Sequence, residues 1–553
     1  KPVTLNRALG SEPPHADPAL ATDTTSVTVV GNIFMGLTHQ DQSTFEIEPY
    51  LAESWEAGED ADGNQTWTFK LREDIPWVNH NPLTGETTQE VDDEGNPRFV
   101  NAHDVVYGVK RTINPDTASD YSYVLYVIKN AEPVNTGEEG FTLDDVGVVA
   151  LDDYTVQFTL ENPAGYFPAI ASMWVAMPQP QWVIEGDSGE DWTEAGIIVT
   201  NGPYVMESWI HGGEMTFVKN ALWPDADSVE IERIEAPIIT ETSTEFALYE
   251  NNELDTAGVP LPETDRVKAD PVLSAEFRSA PIDCTYYYGF VNNKAPFDDV
   301  RVRRAFSASI DRQSLIDNVL KGGQIPATSF ASPGMFGAPE PGTVGQGYDL
   351  ELAQASLQEF LDEMGITIDE FNSTYNVTLM HNTSEAHAQI AGAIQQMWAD
   401  ALGAEVNVEN QEWGVYLDTI RNVTPIEEVP HIFRLGWCAD YPDENNWVHE
   451  VFNAQAGANR LRRNCLDDNC SEVTTSEFDD LTVAGQLAQD PEERIKIYAE
   501  AEQLLAAEEA AYAPIYHYTS VNVTKPWLTR TYTSHDYWPD WTIDMDAKLA
   551  ATQ

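Results

Sequence analysis

The four cysteines are the residues whose spacing constrains their chemistry most: Cys284, Cys438, Cys465 and Cys470. The last two are separated by four residues in a polar, loop-like stretch. A zinc site needs a second such pair or nearby histidines, and the sequence offers neither. We therefore predict a short-loop disulfide there, which implies an oxidising compartment. The sequence alone still allows three pairings of the four thiols.

Motifs that indicate catalysis are absent from the sequence. There is no Walker loop, dinucleotide fingerprint or H-E-x-x-H motif, and no G-x-S-x-G elbow. The eleven histidines are scattered, and pairs of acids are expected by chance among 92 Asp and Glu residues. We expect a protein that is not an enzyme and holds no cofactor and no metal, with a hydrolase or a chaperone as the least favoured alternative.

Residues 79–98 form an acidic stretch rich in Asp, Asn and Gly. Their composition is similar to that of calcium loops, but the spacing does not match the twelve-residue EF-hand pattern. We predict a solvated loop insertion, with a calcium site as the alternative.

The formal net charge of the 553 residues is −63, from 29 Lys+Arg and 92 Asp+Glu. Because phosphate binding needs clustered Lys and Arg, this charge argues against a nucleic-acid partner and against an anionic membrane surface. With 42% hydrophobic and 10% aromatic residues, the composition is that of a folded, globular protein. No segment approaches the ~18 consecutive apolar residues of a transmembrane helix.

Local patterns predict both strands and helices. Residues 66–71 and 154–160 alternate as strands do. Ser384 is placed to cap a helix that carries Ile390, Ile394 and Trp398 on one face. Strands and helices mix without strict alternation, which favours an α/β class with antiparallel elements.

Residues 435–441, with the sequence LGWCADY, resemble the signature of the oligopeptide-binding proteins of ABC importers. These are the family 5 extracytoplasmic solute-binding proteins. Other segments agree with that family in the same order along the chain: 51–55, 67–72, 104–111, 200–204, 284–288, 295–303, 310–312, 382–384, 410–413 and 523–527. The resemblance covers essentially the whole chain except residues 79–98.

The resemblance implies an α/β, two-lobed periplasmic-binding-protein clamp of type II, cluster C, with an extra small domain. Lobe I would comprise residues 1–50, 180–282 and 519–553. The extra domain would comprise residues 51–179, and lobe II residues 283–518. In such proteins a ligand is enclosed by hinge closure.

The function implied is binding of oligopeptides outside the cytoplasmic membrane and their delivery to the permease subunits of an ABC importer. The expected protein is a periplasmic or extracellular monomer whose export signal has been removed, and lipid anchoring is left open. The alternative is the same fold with another solute, such as an oligosaccharide, because sugars stack on Trp and the chain has 15.

The resemblance also assigns the charged residues of a ligand site. Asp440 matches the carboxylate that holds the α-ammonium of the peptide, with a turn acid as the alternative. Arg434 matches an arginine that meets the carboxy terminus of shorter peptides, with a structural ion pair as the alternative. His387 matches a histidine that meets the carboxy terminus of longer peptides, and it also fits a helix face.

Backbone and aromatic groups complete the expected site. Gly436 and Cys438 match positions that offer backbone groups to an extended peptide. The matching pocket walls are Trp413, Trp437, Tyr518 and either Tyr121 or Tyr123, with core packing as the alternative for each. In the enterobacterial branch a cysteine pair at two of these motifs forms a disulfide, which implies Cys284–Cys438 and leaves Cys465–Cys470 as the second.

Overall fold

The computed structural model describes residues 2–42, 44–455 and 457–552, which form two compact units. The first unit contains the chain up to Thr240, then Thr244–Ala257, and the chain from Thr524 onward. The second unit contains Glu241–Ser243 and Gly258–Val523. The extra domain expected over residues 51–179 stays a prediction. The same holds for the expected lobe boundaries.

The first unit contains fourteen strands and six α-helices in its described residues before the chain passes to the second unit. The strands are β1 (Thr4–Asn6), β2 (Thr38–Gln40), β3 (Ile47–Pro49), β4 (Ala52–Glu59), β5 (Gln65–Leu71), β6 (Val78–Asn81), β7 (Glu86–Gln89), β8 (Val148–Asp152), β9 (Thr155–Thr159), β10 (Val199–Thr200), β11 (Tyr204–Ile210), β12 (Glu214–Lys219), β13 (Arg233–Pro237) and β14 (Thr256–Gly258). The helices are α1 (Thr24–Ile33), α2 (Ala102–Ile113), α3 (Ala131–Asn135), α4 (Phe167–Ile170), α5 (Gln181–Ile184) and α6 (Thr242–Glu250).

Two four-stranded sheets lie in the first unit, with strand orders β1-β13-β12-β11 and β4-β5-β9-β8. The second of these contains both sequence-predicted strands, β5 and β9, which pair antiparallel and confirm that prediction. The acidic stretch at 79–98 is more ordered than the predicted loop, because β6 and β7 form a hairpin within it. In the turn that follows, the Asp92 carboxylate accepts hydrogen bonds from Glu94 and Asn96. In the described chain, no group of three or more His, Cys, Asp or Glu side chains is arranged to hold a metal ion.

The second unit is built around one mixed sheet. Its strands are β15 (Phe277–Phe290), β16 (Ile325–Pro326), β17 (Thr378–Asn382), β18 (Asn407–Gln411), β19 (Ile432–Cys438) and β20 (Tyr512–Thr524). Its helices are α7 (Thr264–Ala269), α8 (Leu273–Glu276), α9 (Val300–Ala308), α10 (Arg312–Leu315), α11 (Leu350–Met364), α12 (Ile368–Tyr375), α13 (Glu385–Leu402), α14 (Trp413–Thr419), α15 (Glu450–Phe452), α16 (Glu477–Leu487) and α17 (Pro491–Gln503). The chain then returns to the first unit through β21 (Leu528–Thr529), β22 (Thr542–Ile543) and α18 (Met545–Thr552).

The second-unit strands of this sheet follow the order β20-β15-β19-β17-β18, and β16 pairs with β20. Pairing is antiparallel between β20, β15 and β19, and parallel between β19, β17 and β18. Tyr286, Tyr288 and Phe290 of β15 pack with α9, α11 and α13 in one hydrophobic core. β19 therefore has an antiparallel neighbour, β15, on one side and a parallel neighbour, β17, on the other.

A capping residue explains where helix α13 begins. The Ser384 hydroxyl accepts a hydrogen bond from the backbone N–H of His387, as an N-cap residue does. Ile390, Ile394 and Trp398 of α13 are buried on one face, so the predicted helix is confirmed. None of the described helices is long and apolar enough to cross a membrane.

Two disulfides are present, Cys284–Cys438 and Cys465–Cys470. They are the pairs that the resemblance implied. The first joins β15 to β19 across a sequence separation of 154 residues, whereas the second closes a loop over a separation of 5. The two therefore constrain the unfolded chain very differently.

Replacing both Cys284 and Cys438 by Ala is expected to lower the free energy of unfolding by about 5 kcal/mol, because the disulfide closes a long loop in the unfolded chain. The matched pair of changes at Cys465 and Cys470 is expected to cost only about 2 kcal/mol. Denaturant unfolding of the oxidised proteins measures both losses. Equal losses would contradict the loop-closure explanation.

Candidate functional site

Strand β19 has one fully paired edge and one partly open edge. On one side β15 pairs with it along its whole length, from Cys284↔Cys438 to Phe290↔Ile432. On the other side β17 pairs only with Ile432 and Phe433. In the part of the chain that the structure describes, the edge from residue 434 to residue 438 therefore has no strand beside it. Such an edge is a template for another extended chain.

The register decides which backbone groups face the open edge. The Cα atoms of Cys284 and Cys438 are 4.0 Å apart, a spacing typical of antiparallel pairs that do not exchange hydrogen bonds. The N–H and C=O groups of Cys438 therefore point away from β15, and by alternation so do those of Gly436 and Arg434. The Tyr416 hydroxyl donates to the Arg434 carbonyl. Gly436 and Cys438 remain as the positions that present backbone groups to the open edge.

Arg434 is a buried cation, with 7% of its side chain exposed. Its guanidinium donates to the Asn382 Oδ1 atom at 3.1 Å and to the Tyr518 hydroxyl. It also lies 4.6 Å from the centre of the Tyr286 ring. Among the described residues, its Nε has no hydrogen-bond partner, and no carboxylate forms an ion pair with the guanidinium. The structural ion pair considered as the alternative is therefore not formed, and a role for Arg434 at a ligand stays a prediction.

His387 lies beside the same tyrosine, with its Nδ1 atom 3.4 Å from the Tyr286 hydroxyl. Burial and the charge of Arg434 lower the pKa of His387 well below its ordinary value of 6.5. His387 is thus a neutral hydrogen-bonding group at neutral pH. Because it stands in the first turn of α13, the helix dipole adds partial positive charge to this corner. Arg434 and His387 are therefore brought together in one region that favours an anion.

At the other end of the open edge, Asp440 follows β19 and is half-buried. The backbone N–H of Asp440 donates to Asn446 Oδ1 at 3.0 Å, and Asn446 Nδ2 donates to Asp440 Oδ2 at 2.9 Å. The Trp437 indole N–H also donates to Asn446 Oδ1, at 3.2 Å. One asparagine therefore orients both the carboxylate and the aromatic wall beside it.

A second acid lies behind Asn446. Glu450, the first residue of α15, accepts from the Tyr441 hydroxyl at 2.6 Å and from Asn446 Nδ2 at 2.7 Å. Burial raises the pKa of Glu450 to about 8, and the charge of Asp440 contributes to the rise. Sequence reasoning missed both Asn446 and Glu450. No local signal distinguished them, because acids are frequent throughout the chain and neither residue is part of a periodic pattern with Asp440.

Three of the predicted aromatic walls belong to the second unit. Tyr518 is half-buried, and its ring centre lies 5.0 Å from that of Tyr516. Trp413 begins α14 and stacks on Tyr416 at 6.1 Å. Trp437 is 8% exposed. The structure thus brings Tyr518 to Arg434, and Trp437 to the Asn446 that holds Asp440, whereas contact of the three walls with a ligand stays a prediction.

Tyr121 and Tyr123 belong to the first unit. Their ring centres are 5.2 Å apart, and that of Tyr121 is 5.3 Å from the ring of Trp174. Both are buried, as the core-packing alternative requires. A role for either at the ligand stays a prediction.

Comparison with known proteins identifies the class to which this fold and site belong. Residues 46–459 match the family model described as "Bacterial extracellular solute-binding proteins, family 5 Middle". The chain is 33% identical to the oligopeptide-binding protein OppA of Bacillus subtilis over 94% of this chain and 88% of that protein. The protein is therefore of the extracellular solute-binding class. More particularly, the chain belongs to family 5 of the bacterial extracellular solute-binding proteins.

Solved structures support the same assignment. Haemophilus influenzae OppA in complex with RPPGFSPFR is 27% identical, with a TM-score of 0.82, and the match covers 98% of this chain and 99% of that one. The Escherichia coli murein tripeptide binding protein MppA is also 27% identical, with a TM-score of 0.82 and 98% of both chains covered. The predicted resemblance and fold class are confirmed.

Glu450 makes a pH-dependent contribution to stability. Because its pKa in the folded protein is above the ordinary value of 4.5, the stability it contributes is present below about pH 4.5 and is lost as the pH rises through about 8. From pH 5 to pH 9, we expect the free energy of unfolding of the wild type to fall by about 4 kcal/mol more than that of Glu450→Gln. Denaturant unfolding across this range measures the difference. The exposed control Glu500→Gln should follow the wild type, and parallel curves for wild type and Glu450→Gln would refute the assignment.

Proposed function

We propose that this protein binds peptides at the open edge of β19 and delivers them to the permease of an ABC importer. The observation that carries the proposal is the order of groups along that edge. A carboxylate, Asp440, lies at one end, the backbone groups of Cys438 and Gly436 follow, and the buried cation Arg434 lies at the other end. A peptide in its zwitterionic form presents an ammonium, amide groups and a carboxylate in the matching order.

The direction of the ligand follows from this order. With its amino terminus at Asp440 and its carboxy terminus at Arg434, a bound peptide runs antiparallel to β19. Asp440 lies six positions after Arg434, so the extended backbone between them spans at most roughly 20 Å. This length suits a short peptide, with a charge-assisted hydrogen bond at each end.

Recognition of this kind depends little on the ligand's sequence. Backbone hydrogen bonds supply affinity, and the side chains of the ligand enter the surrounding space. A longer peptide continues past Arg434 toward the neutral His387, which offers a hydrogen bond rather than a full charge. The half-buried Gly436 suits the edge, because a Cβ there would lie 3.2 Å from the Tyr518 hydroxyl and 3.5 Å from Arg434.

The names of the relatives support this function. They describe oligopeptide-binding and murein tripeptide binding proteins, one of them solved with a bound peptide. We infer that this protein likewise acts as a monomer outside the cytoplasmic membrane, without catalysing a reaction on its ligand. An oligosaccharide, the alternative solute, offers neither an ammonium for Asp440 nor a carboxylate for Arg434.

Asp440→Asn is expected to weaken binding of a free tripeptide by about 2–5 kcal/mol, because it removes the charged partner of the ligand ammonium. An amino-terminally acetylated tripeptide lacks that ammonium, so it should bind weakly to both proteins and distinguish little between them. Titration calorimetry of both proteins with both ligands measures the four affinities. Unchanged affinity of Asp440→Asn for the free tripeptide would remove Asp440 from the site.

Arg434→Gln is expected to weaken binding of a tripeptide with a free carboxy terminus by about 2–5 kcal/mol, for the same reason at the other end. The carboxamide form of the tripeptide is the matched control, since it carries no charge there. If both forms lose the same affinity, Arg434 supports the fold of the site without meeting the carboxy terminus.

A further inference from the structure

One buried amide joins two carboxyl groups at the Asp440 end of the edge. Asn446 is fully buried, and its Nδ2 atom donates to Asp440 Oδ2 at 2.9 Å and to Glu450 Oε2 at 2.7 Å. Its Oδ1 atom accepts from the Asp440 backbone and from Trp437. Both amide atoms are thereby committed, since a flipped amide would direct N–H groups at N–H groups. The link between the two acids is therefore fixed in its orientation.

Glu450 is 4% exposed, and the charged groups that face it are mostly acids. Asp440 lies across Asn446, and Asp443 lies nearby, held by two hydrogen bonds from Arg494 at 2.8 Å. Glu444, next along the chain, is fully buried, and burial together with the charge of Glu502 raises its pKa well above the ordinary value. No cation forms an ion pair with Glu450 in the described ranges.

The histidine beside Glu450 does not offset this negative charge. His449 is directed to the Thr482 hydroxyl at 3.1 Å, and burial lowers its pKa to about 4, so it is neutral. Two carboxyl groups joined by one amide cannot both ionise readily, and burial makes Glu450 the one that retains its proton. Burial accordingly raises the pKa of Glu450 to about 8.

A ligand ammonium changes this balance. Once it pairs with Asp440, the charge that opposed ionisation of Glu450 is neutralised. The O–H bond of Glu450 can then break, with the proton passing to solvent buffer and the electron pair remaining on the carboxylate. The new carboxylate still accepts from Asn446 and Tyr441, so no rearrangement of the site is needed.

We propose that Glu450 is a positioning residue of the ammonium subsite, which acts on Asp440 through Asn446 and releases its proton when an amine-terminated ligand binds. The inference rests on the proposed function and adds to it a coupling between peptide binding and proton release. If the role of Glu450 were purely structural, Glu450→Gln would bind peptide with the same proton exchange as the wild type. Glutamine has the same shape and can make the same number of hydrogen bonds.

The test is titration calorimetry of one tripeptide at pH 7.5 in two buffers of different ionisation enthalpy, with wild type, Glu450→Gln and the exposed control Glu500→Gln. We expect the wild type and the control to release about half a proton more per bound peptide than Glu450→Gln, since a nearby opposite charge shifts a pKa by about one unit or more. The same peptide is used throughout, so proton exchange at its own amino terminus cancels.

The possible outcomes separate the two proposals. Peptide binding with equal proton exchange in wild type and Glu450→Gln would overturn the role of Glu450 alone. A wild type that binds no peptide would overturn the proposed function and this inference with it. If Glu450→Gln does not fold, infrared difference spectroscopy of the wild type decides. Peptide addition should remove a protonated-carboxyl band, and an unchanged band would overturn the inference.

Discussion

The antiparallel pairing of β15 with β19 is the constraint on which the rest of the second unit depends. The Cys284–Cys438 disulfide lies within that pairing, so the register is fixed covalently as well as by hydrogen bonds. Side chains and backbone groups alternate in direction along a strand. A slip of one residue in the pairing would therefore turn each side chain to the opposite face and each backbone group to the opposite edge. Gly436 would turn its backbone toward β15, and Arg434 would leave the face on which the tyrosines lie. Both the open edge and the buried cation are consequences of one register.

Charge in this protein is informative where it is buried rather than where it is abundant. The chain carries 92 acids, yet Arg434 is buried and forms no ion pair with a carboxylate in the described chain. The Tyr518 hydroxyl, the Tyr286 ring and the Asn382 amide offset part of the cost of its desolvation. Water or ligand must supply the rest, since a buried charge without a full set of partners is costly. The bulk negative charge concerns solubility, whereas recognition rests on a few groups in low dielectric.

Much of the local structure and the family could be predicted from the sequence. Ser384 and the apolar positions after it predicted α13 because capping and helical periodicity depend on neighbours within a few residues. The alternation of apolar and polar residues that predicted β5 and β9 likewise depends only on neighbouring residues. The acidic stretch at 79–98 was harder, because a hairpin of polar residues has no apolar alternation to indicate it. The pairing of Cys284 with Cys438 came from family resemblance, since spacing alone allows three arrangements.

The sequence by itself determined the class of protein, through ordered motifs along nearly the whole chain, and it identified Asp440 and Arg434 as candidates. Only the tertiary structure decided what surrounds them. It placed the backbone of Gly436 on an open edge and put Glu450 behind Asn446. It also left the Nε of Arg434 without a hydrogen-bond partner among the residues that the structure describes. The physical reason is that strand pairing, burial and the ionisation of a buried acid depend on residues distant in the chain. Such contacts leave no periodic signal in the sequence, whereas caps, turns and alternation do.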